Sequence, residues 1–354
     1  MTILFKLFKQ FKTFKSFEDT SDGASWAKQR ILVAIFVVII VTVFAECALA
    51  QSTRKRIRLS LSSTNVALLP TYAAYDKGFF RDEGFDVEVI QMAATLASTA
   101  LMTGDLDYNG AATGVISAAV QGRPMKVLIF TVSRPLMFLM SKKEIKEPRD
   151  LKGKKVAGST PGASATLLAM QALRHVGLEP GKDVSVLPMG GTAASRLAVL
   201  ESGAVDASLL SVPENFFARE KGFNDLLFLG DVVEFAQAGF GTTEKRIKEN
   251  PDEVYRMVRA QLRSVMFLLD SGHQNEIVEM IMKRWRLTDR KMAESIFHDV
   301  VRVVAKDAMV TQASIQSLID SARESAKVSR PVKIEEVCDF SFVERARKEL
   351  WQKK

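Results

Sequence analysis

Cysteine is nearly absent from this 354-residue sequence, which has only Cys47 and Cys338. Once the leader argued below is removed, Cys338 is alone and no intramolecular disulfide can form. A core must then hold the chain together, which its length and 47% hydrophobic content permit. A lone Cys with no His close by in sequence reads as buried packing. Histidine is almost as scarce: His175, His273 and His298 all fall on predicted helices or their ends. No H-E-x-x-H, G-x-S-x-G or paired-Cys motif occurs. With no base placed beside a nucleophile, an enzyme is not expected, and no catalytic residue, metal ligand or cofactor is assigned. A dominant charge is missing too. The net +8 comes from 49 basic and 41 acidic residues, interspersed, and the only basic clusters are Arg54–Arg58 and Lys353–Lys354. Nucleic-acid binders concentrate Lys and Arg on one element, so no nucleic-acid partner is expected. A soluble monomer is.

Long apolar runs are absent but for Ile31–Ala45, 15 residues preceded by Lys28 and Arg30. A spanning helix needs about 20. Ala48 and Ala50 supply the small-residue pattern of a signal-peptidase site, so residues 1–50 read as an N-terminal extension and signal peptide cleaved after Ala50, before Gln51. The alternative is an uncleaved anchor. Glu46 stands where a lipobox needs a small residue, so Cys47 is not read as a lipidation site. Upstream, Phe5, Phe8, Phe11, Phe14 and Phe17 recur every third residue, a spacing that drifts around a helix and makes no single stripe. An over-extended translation start accounts for this segment as well as a membrane-surface role does, and it is assigned no function.

What the chain does have is an internal repeat. Asp86–Ser98 aligns with Asp183–Ser195 with seven of thirteen positions identical, and Leu101-x-x-Gly104-x-x-Asp107 answers Leu200-x-x-Gly203-x-x-Asp206. Each copy reads β-α-β-α-β. The strands are expected at Arg56–Leu61, Asp86–Ile90 and Asp107–Gly110, then at Lys155–Gly158, Asp183–Leu187 and Asp206–Leu210. Short apolar runs between helices are the mark of parallel α/β strands. Pro70, Gly78 and Gly84 bound a helix over Thr71–Phe80. Ser133–Ser141 is expected to leave the first lobe as a strand and Glu234–Thr242 to return, two crossings that define a hinge. Five amphipathic helices follow (Pro251–Asp270, Glu276–Arg286, Asp289–Val304, Gln312–Lys327 and Phe342–Lys348), read as cladding on lobe one. The expected lobes are 51–138 with 236–354, and 139–235.

Ligands of open α/β sheets bind at the carboxyl ends of strands, where loops lead into helix N-termini. Small and hydroxyl residues there leave backbone N–H groups approachable and add donors. The candidate ligand-binding residues are therefore Ser63, Thr64, Asn65, Thr95, Asn109, Ala112 and Thr113 in lobe one, and Thr160, Gly162, Ala163, Ser164, Gly191, Thr192, Ser211 and Glu214 in lobe two. One helix terminus gives about 0.3–1 kcal/mol toward an anion, whereas micromolar binding needs roughly 8 kcal/mol. Several loops must act together. Arg134 and Arg196 are candidates to clamp a carboxylate, and Tyr72, Tyr75 and Tyr108 to stack on a ring, with ordinary ion pairing and core packing as the competing readings. The loop 159–164 lacks the Gly-Lys-Ser/Thr ending of a P-loop, so nucleotide hydrolysis is not indicated.

Leu69-Pro70-Thr71-Tyr72-Ala73-Ala74-x-x-x-Gly78-Phe79-Phe80-x-x-x-Gly84-Phe85-Asp86-Val87-Glu88, the two Leu-x-x-Gly-x-x-Asp turns, Asp150–Val156 and Asn250-Pro251-Asp252 together resemble the solute-binding proteins of nitrate, sulfonate and taurine ABC importers, a group that includes thiamine-precursor binders. The resemblance covers about Arg56 to Lys348. It implies a type II periplasmic-binding fold of two α/β lobes that takes a small-molecule solute, an organic anion or a heteroaromatic compound, and passes it to an ABC permease in the inner membrane. The resemblance also extends to a pyrimidine-synthase branch of the same fold. That branch uses a cysteine-rich motif and an active-site His, and no His or Cys occurs between Gln51 and Arg174. A ligand-sensing module for a membrane receptor is the third reading.

Overall fold

The computed structural model describes residues 54–62, 64–159, 164–189 and 192–351, without the side chains of 94 and 95. The expected leader, its apolar run and the phenylalanine repeat lie outside the described residues, as do Ser63, Thr160, Gly162, Ala163 and Gly191. Among the described residues no helix is long and apolar enough to cross a membrane.

The first half of the chain runs β1 (Lys55–Leu61), α1 (Leu69–Asp76), α2 (Phe79–Asp82), β2 (Phe85–Gln91), α3 (Ala94–Thr103), β3 (Tyr108–Asn109), α4 (Ala112–Val120) and β4 (Met125–Val132). The chain then crosses into a second set: β5 (Met137–Ser141), β6 (Lys155–Gly158), α5 (Ser164–His175), β7 (Ser185–Pro188), α6 (Ala193–Glu201), β8 (Ala207–Ser211), α7 (Glu214–Glu220), β9 (Asn224–Phe228) and the single turn α8 (Leu229–Val232). It returns in β10 (Ala238–Thr243) and ends in helices α9 (Glu244–Glu249), α10 (Pro251–Leu269), α11 (Gln274–Trp285), α12 (Arg290–Val303), α13 (Gln312–Ala326), α14 (Ile334–Val337) and α15 (Ser341–Trp351).

Two five-stranded sheets result, ordered β2-β1-β3-β10-β4 and β7-β6-β8-β5-β9. The order is the same in both. In each, the first three strands run parallel and the fourth in the order is antiparallel to its neighbours. That antiparallel strand is supplied by a crossing: β10 comes back from the second sheet, and β5 arrives from the first. The repeat in the sequence is thus a repeat in space, two α/β lobes joined by the segments 133–136 and 233–237. Gln237 joins the two crossings, its N–H donating to Val132 O at 3.0 Å and its Oε1 accepting from Leu136 N at 2.7 Å.

The expected elements differ in a few places. The helix anticipated over Thr71–Phe80 is broken at Gly78, which takes φ +80°, a left-handed conformation that interrupts the helical ladder. Ser133–Ser141 is a strand only from Met137, because Pro135 and its neighbours form the crossing. Strands β4 and β9 lie beyond the repeat signature and were not anticipated.

Of the C-terminal helices, α10 packs on α1, α2 and α15, and α13 and α14 pack on α4. These clad lobe one. Helix α12 also reaches the other lobe: Arg302 forms a two-pronged ion pair with Asp231 at 2.7 Å and lies over the Phe228 ring at 4.5 Å.

Candidate functional site

The loops at the carboxyl ends of the strands are positioned by the repeated Leu-x-x-Gly-x-x-Asp turn. Leu101 and Leu200 are buried, while Gly104 and Gly203 end their helices with φ +82° and +76°. Asp107 and Asp206 then reach back to the first strand of their own repeat copy, β1 and β6. Arg58 N donates to Asp107 Oδ2 at 2.7 Å, and Lys155 N donates to Asp206 Oδ2 at 2.9 Å. Burial alone would raise both carboxyls, but these bonds, with the side chains of Arg58 and Arg246 at Asp107 and of Lys142 at Asp206, hold both below the usual carboxylate range.

Past those turns the lobes touch. Val66 N–H, in the loop after β1, donates to Val212 O, in the loop after β8, at 3.5 Å. The apolar side chains Val66, Ala67 and Leu68 of one lobe share a buried cluster with Val212 and Phe216 of the other.

The candidate residues fall into groups. Thr64, Asn65, Ser211 and Glu214 lie in the two loops that make this contact. Ser211 Oγ donates to Glu214 Oε2 at 3.1 Å, and Asn65 Oδ1 is buried with no hydrogen-bond partner. Thr113 and Ser164 sit half-buried in the first turns of α4 and α5. Three residues do structural work instead. Asn109 is fully buried, its Oδ1 accepting from Ala111 N at 2.9 Å and Ser60 Oγ at 3.3 Å, and its Nδ2 donating to Ser98 Oγ at 3.3 Å. Ala112 is fully buried in the α4 core. Thr192 caps α6 through Ser195 N at 3.3 Å. The side chain of Thr95 lies outside the described set.

The arginines are already engaged. Arg196 is buried and donates from Nε to Leu209 O at 2.8 Å; burial pulls its pKa down and the charge of Glu214 opposes that. Arg134 Nη1 donates to Gly230 O at 3.1 Å. Of the tyrosines, Tyr108 is fully buried and bonds Glu253 Oε1 at 2.8 Å, which removes it from any stacking role, while Tyr75 is exposed. Tyr72 stays beside the first loop.

Two features escaped the sequence. Trp285 of α11 comes to the β1 loop: its Nε1 donates to Thr64 O at 2.6 Å, and its ring meets Tyr72 edge-on at 5.9 Å. Tyr72 carries Arg284 over its face at 4.1 Å. The second is Asn215, fully buried, with neither Oδ1 nor Nδ2 hydrogen-bonded. Leaving a buried amide unpaired costs about 1–3 kcal/mol. An Asn one residue after Glu214 reads as an ordinary helix-start residue, so its sequence context gave no signal.

Two open depressions lie elsewhere. One of about 540 Å³ adjoins the crossings and is lined by Ser133, Arg134, Glu234, Arg302 and Thr311 among others; one of about 580 Å³ lies between α1 and α11. Among the described residues no group of three His, Cys, Asp or Glu side chains is placed to hold a metal ion.

Known proteins share this arrangement. The family described as NMT1/THI5 like matches residues 65–274. The riboflavin-binding protein RibY of Chloroflexus aurantiacus is 29% identical over 229 residues, 61% of this chain, and the match spans just under two thirds (63%) of RibY. Among solved structures, the periplasmic sulfonate-binding protein SsuA of Methylobacillus flagellatus superposes with TM-score 0.68 at 18% identity, covering 84% of this chain and 96% of that one. The periplasmic nitrate-binding protein NrtA of Synechocystis gives TM-score 0.65 at 17% identity, covering 84% and 89%. The desulfurization enzyme DSZB gives 0.60 at 16%, covering 84% and 100%. At these identities the structures establish the fold, that of periplasmic binding proteins.

Proposed function

The chain belongs to the NMT1/THI5-like family, and from that premise we propose that it is an extracytoplasmic solute-binding protein serving an ABC importer. It captures a small organic solute, an organic anion or a heteroaromatic compound, between lobe one (51–138 with 236–354) and lobe two (139–235). The closed form is handed to the permease in the inner membrane. Residues 1–50 direct export to the periplasm and are removed after Ala50. The protein acts as a monomer without a cofactor.

The observation that carries this reading is the meeting of strand-end loops from two lobes of identical strand order, at the Val66 N–H to Val212 O bond. Lobes joined by two crossings open and close about them, and a ligand that contacts both favours the closed form. The strand-end loops 62–65, 92–95, 110–113, 159–164, 189–192 and 211–215 contain no Cys or His, which counts against catalysis in the cleft.

Mass spectrometry of material released on denaturing the purified protein tests the reading. A small organic compound in near-stoichiometric amount is the expected result; a polyamine or a metal ion contradicts it. Any such compound at 100 times its Kd stabilises the fold by about 2.7 kcal/mol, which a thermal shift detects.

A further inference from the structure

Given the solute-binding reading, the unpaired amides indicate what kind of solute fits. Asn215 lies three residues past Val212, whose carbonyl takes the interlobe bond, and Asn65 directly precedes Val66, which gives it. The two Asn residues therefore flank one contact from opposite lobes. Asn215 is fully buried with its acceptor and its donor both unused, and Asn65 Oδ1 is buried and unused. Buried amides are ordinarily satisfied, and here both atoms of the Asn215 amide and the Oδ1 of Asn65 are not, on the two segments that carry the interlobe bond.

The charge balance of the same loops narrows the class. Across all six strand-end loops, Glu214 is the single ionisable residue. Arg196, the one buried Lys or Arg among the described residues, spends its Nε on Leu209 O and lies within the field of Glu214. No unbalanced positive side chain is left on these loops to neutralise a sulfonate or nitrate. We propose that Asn215, together with Asn65, reads the solute by hydrogen bonds, and that the solute is uncharged and presents a donor and an acceptor side by side, as an imide, lactam or urea-like edge does. An amide serves such an edge with both of its atoms, Oδ1 accepting and Nδ2 donating. Trp285, whose Nε1 is anchored on Thr64 O, brings an indole ring to the loop that carries Asn65.

Gln261 provides an internal control. It too is fully buried with both amide atoms unpaired, but it lies in the middle of α10, a helix packed on α1, α2 and α15. It belongs to none of the six strand-end loops, so its removal is predicted to leave binding alone.

The test uses the purified chain and its Asn215→Leu, Asn215→Ala and Gln261→Leu variants. Riboflavin and uracil are the uncharged probes, ethanesulfonate and nitrate the anionic ones, with affinity read by calorimetry and apo stability by melting temperature. The expected result is binding of an uncharged probe and none of the anions. Asn215→Leu should weaken that binding by about 10- to 100-fold without lowering the apo melting temperature, because it removes an unsatisfied buried group. Asn215→Ala gives the same loss, and keeps the test available if Leu does not fit. Gln261→Leu should leave affinity within about twofold, since Gln261 belongs to none of the six strand-end loops. Binding of an anion, or unchanged affinity in both Asn215 variants, overturns the inference and leaves the solute-binding reading standing. Binding of none of the four probes overturns the inference, whereas the solute-binding reading falls only if no small organic compound is released from the denatured protein.

Discussion

The same seven-residue turn is built twice and braced unequally. Asp107 and Asp206 make the same backbone bond to the first strand of their repeat copies, yet Asp107 is 9% exposed and Asp206 24%. Around Asp107, Arg58 and Arg246 both ion-pair with it, Arg246 continues to Glu253 at 2.7 Å, and Glu253 takes Lys55 at 2.5 Å and the Tyr108 hydroxyl at 2.8 Å. Asp206 has Lys142 alone at 3.0 Å, which also donates to Gly203 O at 3.0 Å. The difference comes from α9 and α10. They supply Arg246 and Glu253 to lobe one, and lobe two has no equivalent. Local sequence writes the turn; the cladding decides how deeply it is buried.

The largest expected effect follows from that depth. Asp107→Asn leaves Arg246 and Arg58 short of a buried partner and should cost about 3 kcal/mol in urea unfolding, against about 1 kcal/mol for Asp206→Asn, whose pair is partly solvated. Equal losses would break the comparison. Gly104→Ala and Gly203→Ala, by contrast, should each cost about 1–2 kcal/mol, because both glycines hold left-handed φ and neither has a neighbouring atom closer than 3.9 Å for a Cβ to meet. Unequal losses there would show that the two turns differ in more than their bracing.

Acid unfolding sharpens the same point. Both carboxyls are lowered in the folded state, so each contributes stability that is fully present above the ordinary value of 3.8 and is lost as pH falls through the lowered one. The protein should begin to lose stability below about pH 4, and Asp107→Asn should remove more of that pH dependence than Asp206→Asn. Denaturant midpoints measured from pH 6 to pH 2.5 check the order.

The fold was legible because its signals are local and doubled. The three strands of each copy, the terminating glycines and the five anticipated C-terminal helices lie within a few residues of where periodicity puts them, while the short helices α9 and α14 were not anticipated. Strands β4 and β9 were missed because they follow the last residue of the repeat signature, and nothing in Met125–Val132 distinguishes an apolar strand from any other apolar run. The site was less legible. Loop composition located the neighbourhood of Thr64, Asn65, Ser211 and Glu214, but Asn109 has the same composition signal and is consumed by Ser60, Ser98 and Ala111. Hydrogen-bond satisfaction separates the two, and it is a property of coordinates. Trp285 lies more than 200 residues from Thr64 and reaches it only because α11 folds back over lobe one.

Solution scattering of the purified chain tests the central claim most directly, with the solute identified by mass spectrometry present and absent. Closure of two lobes about the segments 133–136 and 233–237 predicts a smaller radius of gyration with solute bound. An unchanged radius with bound solute verified in the same sample would contradict it.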